Sequence, residues 1–586
     1  MRKHFLYVLI YLFLATIFTL PVSISPGTGL LGQPGDNYQH SWFLWHFATA
    51  TASGHNPFYT NLIFYPHGVN LSWSTLDPLA GILALPLSLS VGPVVTYNLS
   101  VVLQLALAAF FAHLLCAKIC RNQAAALIGG IAFGFSPFIL AQALGHLSLV
   151  TAFPIPLYVL ALDRVLGEAN PSRKDGVILG LALFLTAFAN YNYTVFCLMF
   201  TAVIVIIDRI LEGAGFLRKV GAPLCWASVT FLMGFSPVLI MLLGNTSDVP
   251  NPRTLEHVEK YSADALGFLI PSWQHLFLGS YSRSLDPRIF TGGFEGTVYV
   301  GPIVLLLAAA GLWLGRSRRQ RWAAPAMFAG AIFYLLSLGP RIRCLGKPVG
   351  IPGPAYLLYS FRFARFLSAP ARFHILTALC LSILGSIGLA FLLEKLRRKW
   401  QRLCLVSIVG FMLVADTITI PFPISSVVDP AWSPGASGMR EGCVLPSNLR
   451  SGTVLTFPLD WPYSLKSMWM QVSDNGRYSL IDGYVSYAPD RVWREFYRIS
   501  ILRSLLSLQG RSSSPVDLLH DQQTVPDVVR ELNLSAVVVF DSPQHDAGIH
   551  YVQTVFGRQG QNAGSCTVFE IEMNQTAARP KGESAR

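Results

Sequence analysis

Apolar residues in this chain fall in blocks of roughly 17–25, the length a helix needs to cross a hydrocarbon core of about 30 Å. No other feature narrows the fold so far. Inside lipid every backbone amide and carbonyl must be satisfied within its own segment, so such blocks form helices. Candidate spans cover residues 5–22, 94–117, 124–140, 147–166, 177–189, 194–207, 220–243, 298–315, 322–338, 373–393 and 403–420, about eleven in all. The stretches 177–189 and 194–207 are shorter and could be one broken helix, but the charges at Lys174 and Asp208-Arg209 both ask for the cytoplasm, which a tight outside turn at 190–193 satisfies. The expectation is a mostly α-helical, polytopic membrane protein. Composition agrees: 52% of the 586 residues are hydrophobic and 13% are charged, about half the charged share of an average soluble domain.

The formal net charge of +12 does not point to nucleic acid, because the excess lies in short clusters at the ends of apolar blocks. These are Lys118/Arg121, Arg164/Arg173/Lys174, Arg209/Arg218/Lys219, Arg316/Arg318/Arg319/Arg321 and Lys395/Arg397/Arg398/Lys399/Arg402. Positive clusters in short loops mark the cytoplasmic side. Met1-Arg2-Lys3-His4 begins like a signal peptide, but Pro21 and Val22 leave no small-residue cleavage site, so the first block reads as an uncleaved helix. Block 79–91, bounded by Pro78 and Gly92-Pro93, is too short to cross. Charge parity agrees, since one crossing must separate the first outer loop from Lys118. It is expected to lie at the membrane surface.

Counting on from there, residues 21–93, 141–146, 190–193, 244–297, 339–372 and everything after 421 lie outside. The long connections rich in Trp, Tyr, Pro and His collect on that side, and chemistry is expected where long loops are held by a scaffold. The expected division is a transmembrane domain over 1–420, an extracytoplasmic α/β domain over 421–574 and a disordered tail over 575–586. In the second domain, 452–457 and 535–540 are short β-branched runs, while 492–508 and 525–532 look helical. Cys443 and Cys566 flank it and, in an oxidising compartment, could pair.

Gly35-Asp36-Asn37-Tyr38-Gln39-His40 stands just after the first apolar block. A carboxylate at the edge of a membrane helix is rarely kept without a use, although Asp before a helical run is also a good N-cap. The acidic residue in a long first outer loop, the two juxtamembrane helices expected there and the C-terminal extramembrane domain resemble the C-type (GT-C) superfamily of membrane glycosyltransferases. The chain is also similar to bacterial membrane proteins of that kind at Asn56-Pro57-Phe58-Tyr59-Thr60-Asn61, Tyr65-Pro66-His67-Gly68, Ser136-Pro137, Gly145-His146, Ser368-Ala369-Pro370-Ala371-Arg372-Phe373 and Gly483-Tyr484-Val485-Ser486.

The resemblance implies sugar transfer from a polyprenyl-phosphate donor to an envelope glycan, lipid or protein acceptor, on the outer face of a bacterial inner membrane. Such transfer needs a base for the acceptor hydroxyl, and Asp36 is the candidate. It also needs donors for the departing phosphate. Arg362, Arg365 and Arg372 would lie near one face if their stretch were helical; headgroup binding without catalysis is the alternative. His146 is either a catalytic group or a hydrogen bonder at a helix start. His67 and Asp77 could line the same cavity, and Asn192 and Tyr193 could meet sugar hydroxyls. Many relatives carry two acids in the first loop and bind a divalent cation there. Here no second acid follows Asp36 until Asp77, so His40, at i+4, would be its only helical partner in a possible metal pair. The competing readings are a flippase, which would place charge inside its spans, and an envelope-glycan assembly scaffold.

Overall fold

The computed structural model describes residues 2–213, 215–244, 249, 251–285, 289, 292–317, 321–426 and 442–572. The polar tail expected over 575–586 lies outside the described residues. The chain divides into two compact units.

The first unit is helical and holds Met1–Ala48, Thr75–Gly244 and Asn251–Ser425. Among the described residues, seven helices are long and apolar enough to cross a membrane: Pro93–Cys120, Gln123–Gln142, Leu147–Gly167, Tyr191–Leu211, Gly215–Leu243, Pro370–Lys395 and Lys399–Thr417. His4–Phe18, Pro302–Gly315 and Ala323–Ser337 are shorter apolar helices, and Arg173–Ala189 is a 17-residue helix with charged residues in its first turn. Each expected span is therefore helical. The turn expected at 190–193 is tighter than foreseen. Asn190 alone joins two helices, closing Arg173–Ala189 and capping Tyr191–Glu212 with its side chain.

His374–Lys395 runs through the centre of this unit, buried along most of its length. It packs on Pro302–Ser317 through glycine. A Cβ on Gly311 would come 1.8 Å from the Leu384 carbonyl, and one on Gly388 would come 2.2 Å from that of Leu307. Small residues allow such backbone approach, which is how helices associate where lipid supplies no hydrophobic drive.

Two helices sit apart from the spans. Asp36–Ala52 starts at the acidic motif, and Pro78–Ser88 is 11 residues long with Asp77 as its side-chain cap. Two of the long apolar helices are broken near the motifs singled out above. Ser136 ends one stretch and caps Pro137–Gln142, and His146 stands before the single turn Leu147–Val150. Broken backbone at this depth persists because it is enclosed by protein. The Leu144 carbonyl, freed by the break, accepts from the Gln33 amide at 2.7 Å.

The second unit contains the C-terminal region from Ser426 together with Thr49–Ser74. The division thus differs from the expected one by a piece of the first outer loop. A five-stranded sheet runs in the order Gln561–Asn562, Cys566–Glu570, Leu534–Phe540, Thr453–Phe457, Ser479–Leu480. Leu534–Phe540 is parallel to Thr453–Phe457 and antiparallel to Cys566–Glu570. Both parallel strands are buried throughout, as expected of a β-branched run covered on both faces. The helical stretch expected over 492–508 is two helices, Asp490–Arg498 and Ser500–Leu508, and 525–532 belongs to the longer Leu518–Glu531. Cys443 and Cys566 are joined by a disulfide.

Thr49–Ser74 enters this unit along its edge strand. Leu62 accepts from the Leu480 amide at 2.8 Å, and Tyr65 donates to the Leu480 carbonyl at 3.0 Å. A Cβ on Gly483 would lie 2.8 Å from that of Ile63, so glycine is required for this contact.

Candidate active site

The site lies within the helical unit, and broken helices build it. Asp36 begins Asp36–Ala52, with its side chain 30% exposed. His146 Nε2 lies 2.8 Å from Asp36 Oδ2. The break after Gln142 turns that residue's amide back onto the same ring, with Gln142 Oε1 3.0 Å from His146 Nδ1. Glu295 Oε1 stands 3.5 Å from the same nitrogen. Arg372 closes the chain of contacts with a forked pair, Nε to Oε2 at 2.8 Å and Nη2 to Oε1 at 2.6 Å. Such forked pairs are among the stronger and more directional ion pairs.

Both imidazole nitrogens of His146 thus stand close to oxygens, of Asp36 on one side and of Gln142 and Glu295 on the other. Phe294 lies against that ring with centroids 5.0 Å apart, and Gly145 leaves the space for it. Burial pushes the Glu295 carboxyl up, but Arg372 and His146 more than offset this and hold it below the usual carboxylate range. Tyr261 is close enough to feel Glu295, Asp36 and Arg372, and its carbonyl accepts from the Ala371 amide at 3.1 Å. Burial, then Arg253 and Lys260 nearby, push His257 down to about 4. The arrangement places an accessible carboxylate at the end of a buried, ordered chain of alternating acids and bases.

The residues expected from sequence do not all gather here. Asp36, His146 and Arg372 do. His40 lies on the next turn of the Asp36 helix, its ring 6.5 Å from that of His146, and burial and His146 push it down to about 3. The three arginines do not share a helical face. Their stretch is broken into Tyr356–Ser360, Arg362–Phe366 and Pro370–Phe373, with extended backbone at Phe361 and Ala369. Arg362 bonds Asn251 Oδ1 at 3.3 Å and Arg365 bonds the Tyr359 carbonyl at 3.1 Å. Arg372 is engaged by Glu295 and so differs from the expected phosphate donor.

Asp77 caps its helix through the Ala80 amide at 2.9 Å, and burial pushes it up to about 7. Tyr193 is buried and donates to the Leu149 carbonyl at 2.6 Å, a packing role. Asn192 occupies the first turn after Asn190. His67 belongs to the second unit, 3.8 Å from Glu495. Glu295, Gln142 and Tyr261 were not foreseen. The one cue to Glu295 was an acid set among glycines at Gly292-Gly293-Phe294-Glu295-Gly296.

For a divalent cation the donor set is short. Among the described residues, no three His, Cys, Asp or Glu side chains gather as a metal site would need. Asp36 and His40 alone do not make one.

A family model described as a domain of unknown function (DUF6311) matches residues 7–417. No curated protein matches the chain. Solved structures do. ArnT from Cupriavidus metallidurans in the apo state aligns with a TM-score of 0.51 at 11% identity, covering 96% of this chain and 97% of that one. The same protein bound to undecaprenyl phosphate aligns at 0.50 and 11%, covering 97% of each. A mutant of the arabinofuranosyltransferase AftD from mycobacteria aligns at 0.50 and 14%, covering 97% of this chain and 41% of its own. The chain shares its fold with ArnT and AftD.

Proposed function

This chain belongs to the family described as a domain of unknown function (DUF6311), and we propose that it is an integral-membrane glycosyltransferase using a polyprenyl-phosphate sugar donor. The observation that carries this reading is the contact chain Asp36–His146–Glu295–Arg372, set at the start of a short helix outside the spans. The fold supports it, and one structure sharing that fold holds undecaprenyl phosphate.

In this reading Asp36 removes the proton from an acceptor hydroxyl of an envelope glycan, lipid or protein. The acceptor oxygen then bonds the anomeric carbon as that carbon's bond to the phosphate oxygen breaks. The lipid phosphate leaves with the electron pair, and the proton stays on Asp36. His146 is a positioning residue: donating from Nε2, it orients the carboxylate, and Glu295 with Arg372 orients His146. Arg362 and Arg365, each bonded to a neutral oxygen, are the candidates to meet the phosphate. Orientation of this kind is worth several kcal/mol only when the reacting atoms are held close.

Donor binding and turnover separate the roles. With purified full-length protein and a polyprenyl-phosphate sugar, Asp36→Asn should keep donor affinity and lose transfer. Arg365→Gln should weaken donor affinity, because it removes a charge contact already made in the ground state. Native-rate transfer by Asp36→Asn would end the assignment. Charge parity supports an outer-face reaction, and the resemblance implies a bacterial inner membrane; on that reading a periplasm-dependent reporter fused after Arg586 should be active.

A further inference from the structure

Large apolar side chains stand exposed along the segment that joins the apolar helix Ala323–Ser337 to the span Pro370–Lys395. Arg341–Cys344 and Lys347–Pro352 pair there as an antiparallel hairpin, and the short helix Tyr356–Ser360 follows. Val349 and Ile351, alternate residues on one face of the second strand, are exposed. So are Tyr356, Leu357, Phe361 and Phe363, with Leu357 at 72% and Phe363 at 81%. A single exposed apolar residue is ordinary. Six of them between residues 349 and 363 are the kind of surface that marks a docking site.

Hydrogen bonds fix where these side chains stand. Asp264 holds the hairpin turn, accepting from the Leu345 amide at 3.1 Å and the Gly346 amide at 2.8 Å. The Gly353 amide donates to the Pro340 carbonyl at 2.8 Å, which returns the hairpin to the end of Ala323–Ser337. Glycine is required for that return, since a Cβ on Gly353 would come 2.1 Å from the Gly339 carbonyl. Tyr356 follows at once, its amide donating to the Gly353 carbonyl at 2.9 Å. At the other end, the buried Tyr359 donates to the Leu367 carbonyl at 2.8 Å, just before the span begins at Pro370. Each residue reaches at most about 3.3–3.6 Å along the chain, so the exposed side chains stay close to the ends of two apolar helices, where hydrocarbon gives way to water.

The charge of the segment is one-sided. Residues 339–372 hold Arg341, Arg343, Lys347, Arg362, Arg365 and Arg372 and neither Asp nor Glu. Glu259 takes Arg341, the carbonyls of Glu259 and Ser262 take Arg343, and Glu295 takes Arg372. Among the described residues no carboxylate pairs with Lys347, Arg362 or Arg365, and Lys347 and Arg362 are exposed. We infer that this segment is a docking surface for the anionic phospholipid of the leaflet beside it. The apolar side chains enter the acyl boundary and the cations meet headgroup phosphates, the two contributions by which interfacial elements bind membranes. A second copy of this chain, meeting it face to face, would bring the same cations and repel. A neutral glycan would leave the charge unmatched. Arg362 and Arg365 meet a lipid phosphate in the transfer reading as well, so the test rests on Lys347, Leu357 and Phe363, which that reading does not use.

Photocrosslinking of the full chain tests the surface without any transfer assay. Phe363→benzoylphenylalanine and, separately, Leu357→benzoylphenylalanine are placed in nanodiscs of equal parts phosphatidylglycerol and phosphatidylcholine, with no polyprenyl phosphate present, and adducts are read by mass spectrometry. Both positions should capture lipid, with phosphatidylglycerol favoured about tenfold. Lys347→Gln should lower that preference about fivefold, the effect of one cation at an anionic surface. Adducts to another copy of the chain in place of lipid, no lipid adduct at either position, or equal capture of the two lipids would overturn the proposal. A preference that Lys347→Gln leaves unchanged would overturn it too. The Leu357 position keeps the test decisive should the Phe363 variant fail to fold.

Discussion

The apolar helix Leu147–Gly167, 21 residues long, has a buried acid–base group near each end, roughly 30 Å apart at 1.5 Å per residue. Near one end, Arg321 holds Asp163 at 3.2 Å and Asp208 at 2.9 Å, and the Trp322 ring nitrogen donates to Asp163 at 2.7 Å. At the other end Arg372 holds Glu295, but a histidine follows it, and the last member, Asp36, is partly open. Each group joins two carboxylates and one arginine. They differ in what stands between the charges. An arginine that never titrates grips both acids at the first end. An imidazole, whose two ring nitrogens can each hold a different neighbour, is interposed at the second. The first group is built to hold helices together, and the second to present a carboxylate.

The largest expected difference is in rate. Asp36→Asn should lower transfer about 10²–10⁴-fold, the usual contribution of a positioned base, whereas Asp163→Asn should leave turnover per folded molecule unchanged. Equal losses in the two variants would erase the distinction.

Next in size is stability at the Arg372 group. Arg372→Met leaves Glu295 buried without its partner and should cost about 3–5 kcal/mol. Glu295 is held below its ordinary range, so its contribution is present above the unfolded carboxylate pKa and is lost as pH falls through the folded one. Thermal unfolding should therefore show the gap between native and variant widest at neutral pH and closing on acidification. Arg321→Met should cost somewhat less, about 2–4 kcal/mol, since that side chain is 31% exposed and its charge is partly solvated already. Turnover per folded molecule should not change, and a change in it would make the Arg321 group more than a clamp.

The smallest effect belongs to a carboxyl with no arginine at all. Asp482, in the second unit, is buried, accepts from Ser467 at 3.0 Å and is pushed up to about 7 by that burial. The unfolded chain releases this proton first, so stability falls as pH rises from about 4 to about 7 and is level above. Asp482→Asn should match the native protein near pH 4 and exceed it by ~1–3 kcal/mol at pH 8. A constant difference across that range would mean that burial does not govern the group.

Hydropathy made the spans legible, because length and apolarity are properties of a segment by itself. Asp36 and His146 were legible for a similar reason: each is a polar residue beside glycine at the edge of an apolar block. Glu295 was hidden, since its role depends on Arg372, 77 positions away, and nothing in its own loop has a period. The arginine spacing misled because it was read through a helix that Pro370 and extended residues at Phe361 and Ala369 interrupt. The membership of Thr49–Ser74 was invisible to hydropathy, which sees segments and not pairing. Its cues were present all the same, for the motifs at 56–68 and 483–486 lie on two sides of one contact.

That contact carries a consequence in time. Leu62 finds its hydrogen-bond partner at Leu480, roughly 420 residues later. At a synthesis rate of about 5–20 residues per second, the first outer loop waits on the order of 20–80 s with its backbone groups open before its partner has been made. A cell that makes this chain must shelter the loop through that interval, and any pause in translation between the two lengthens it.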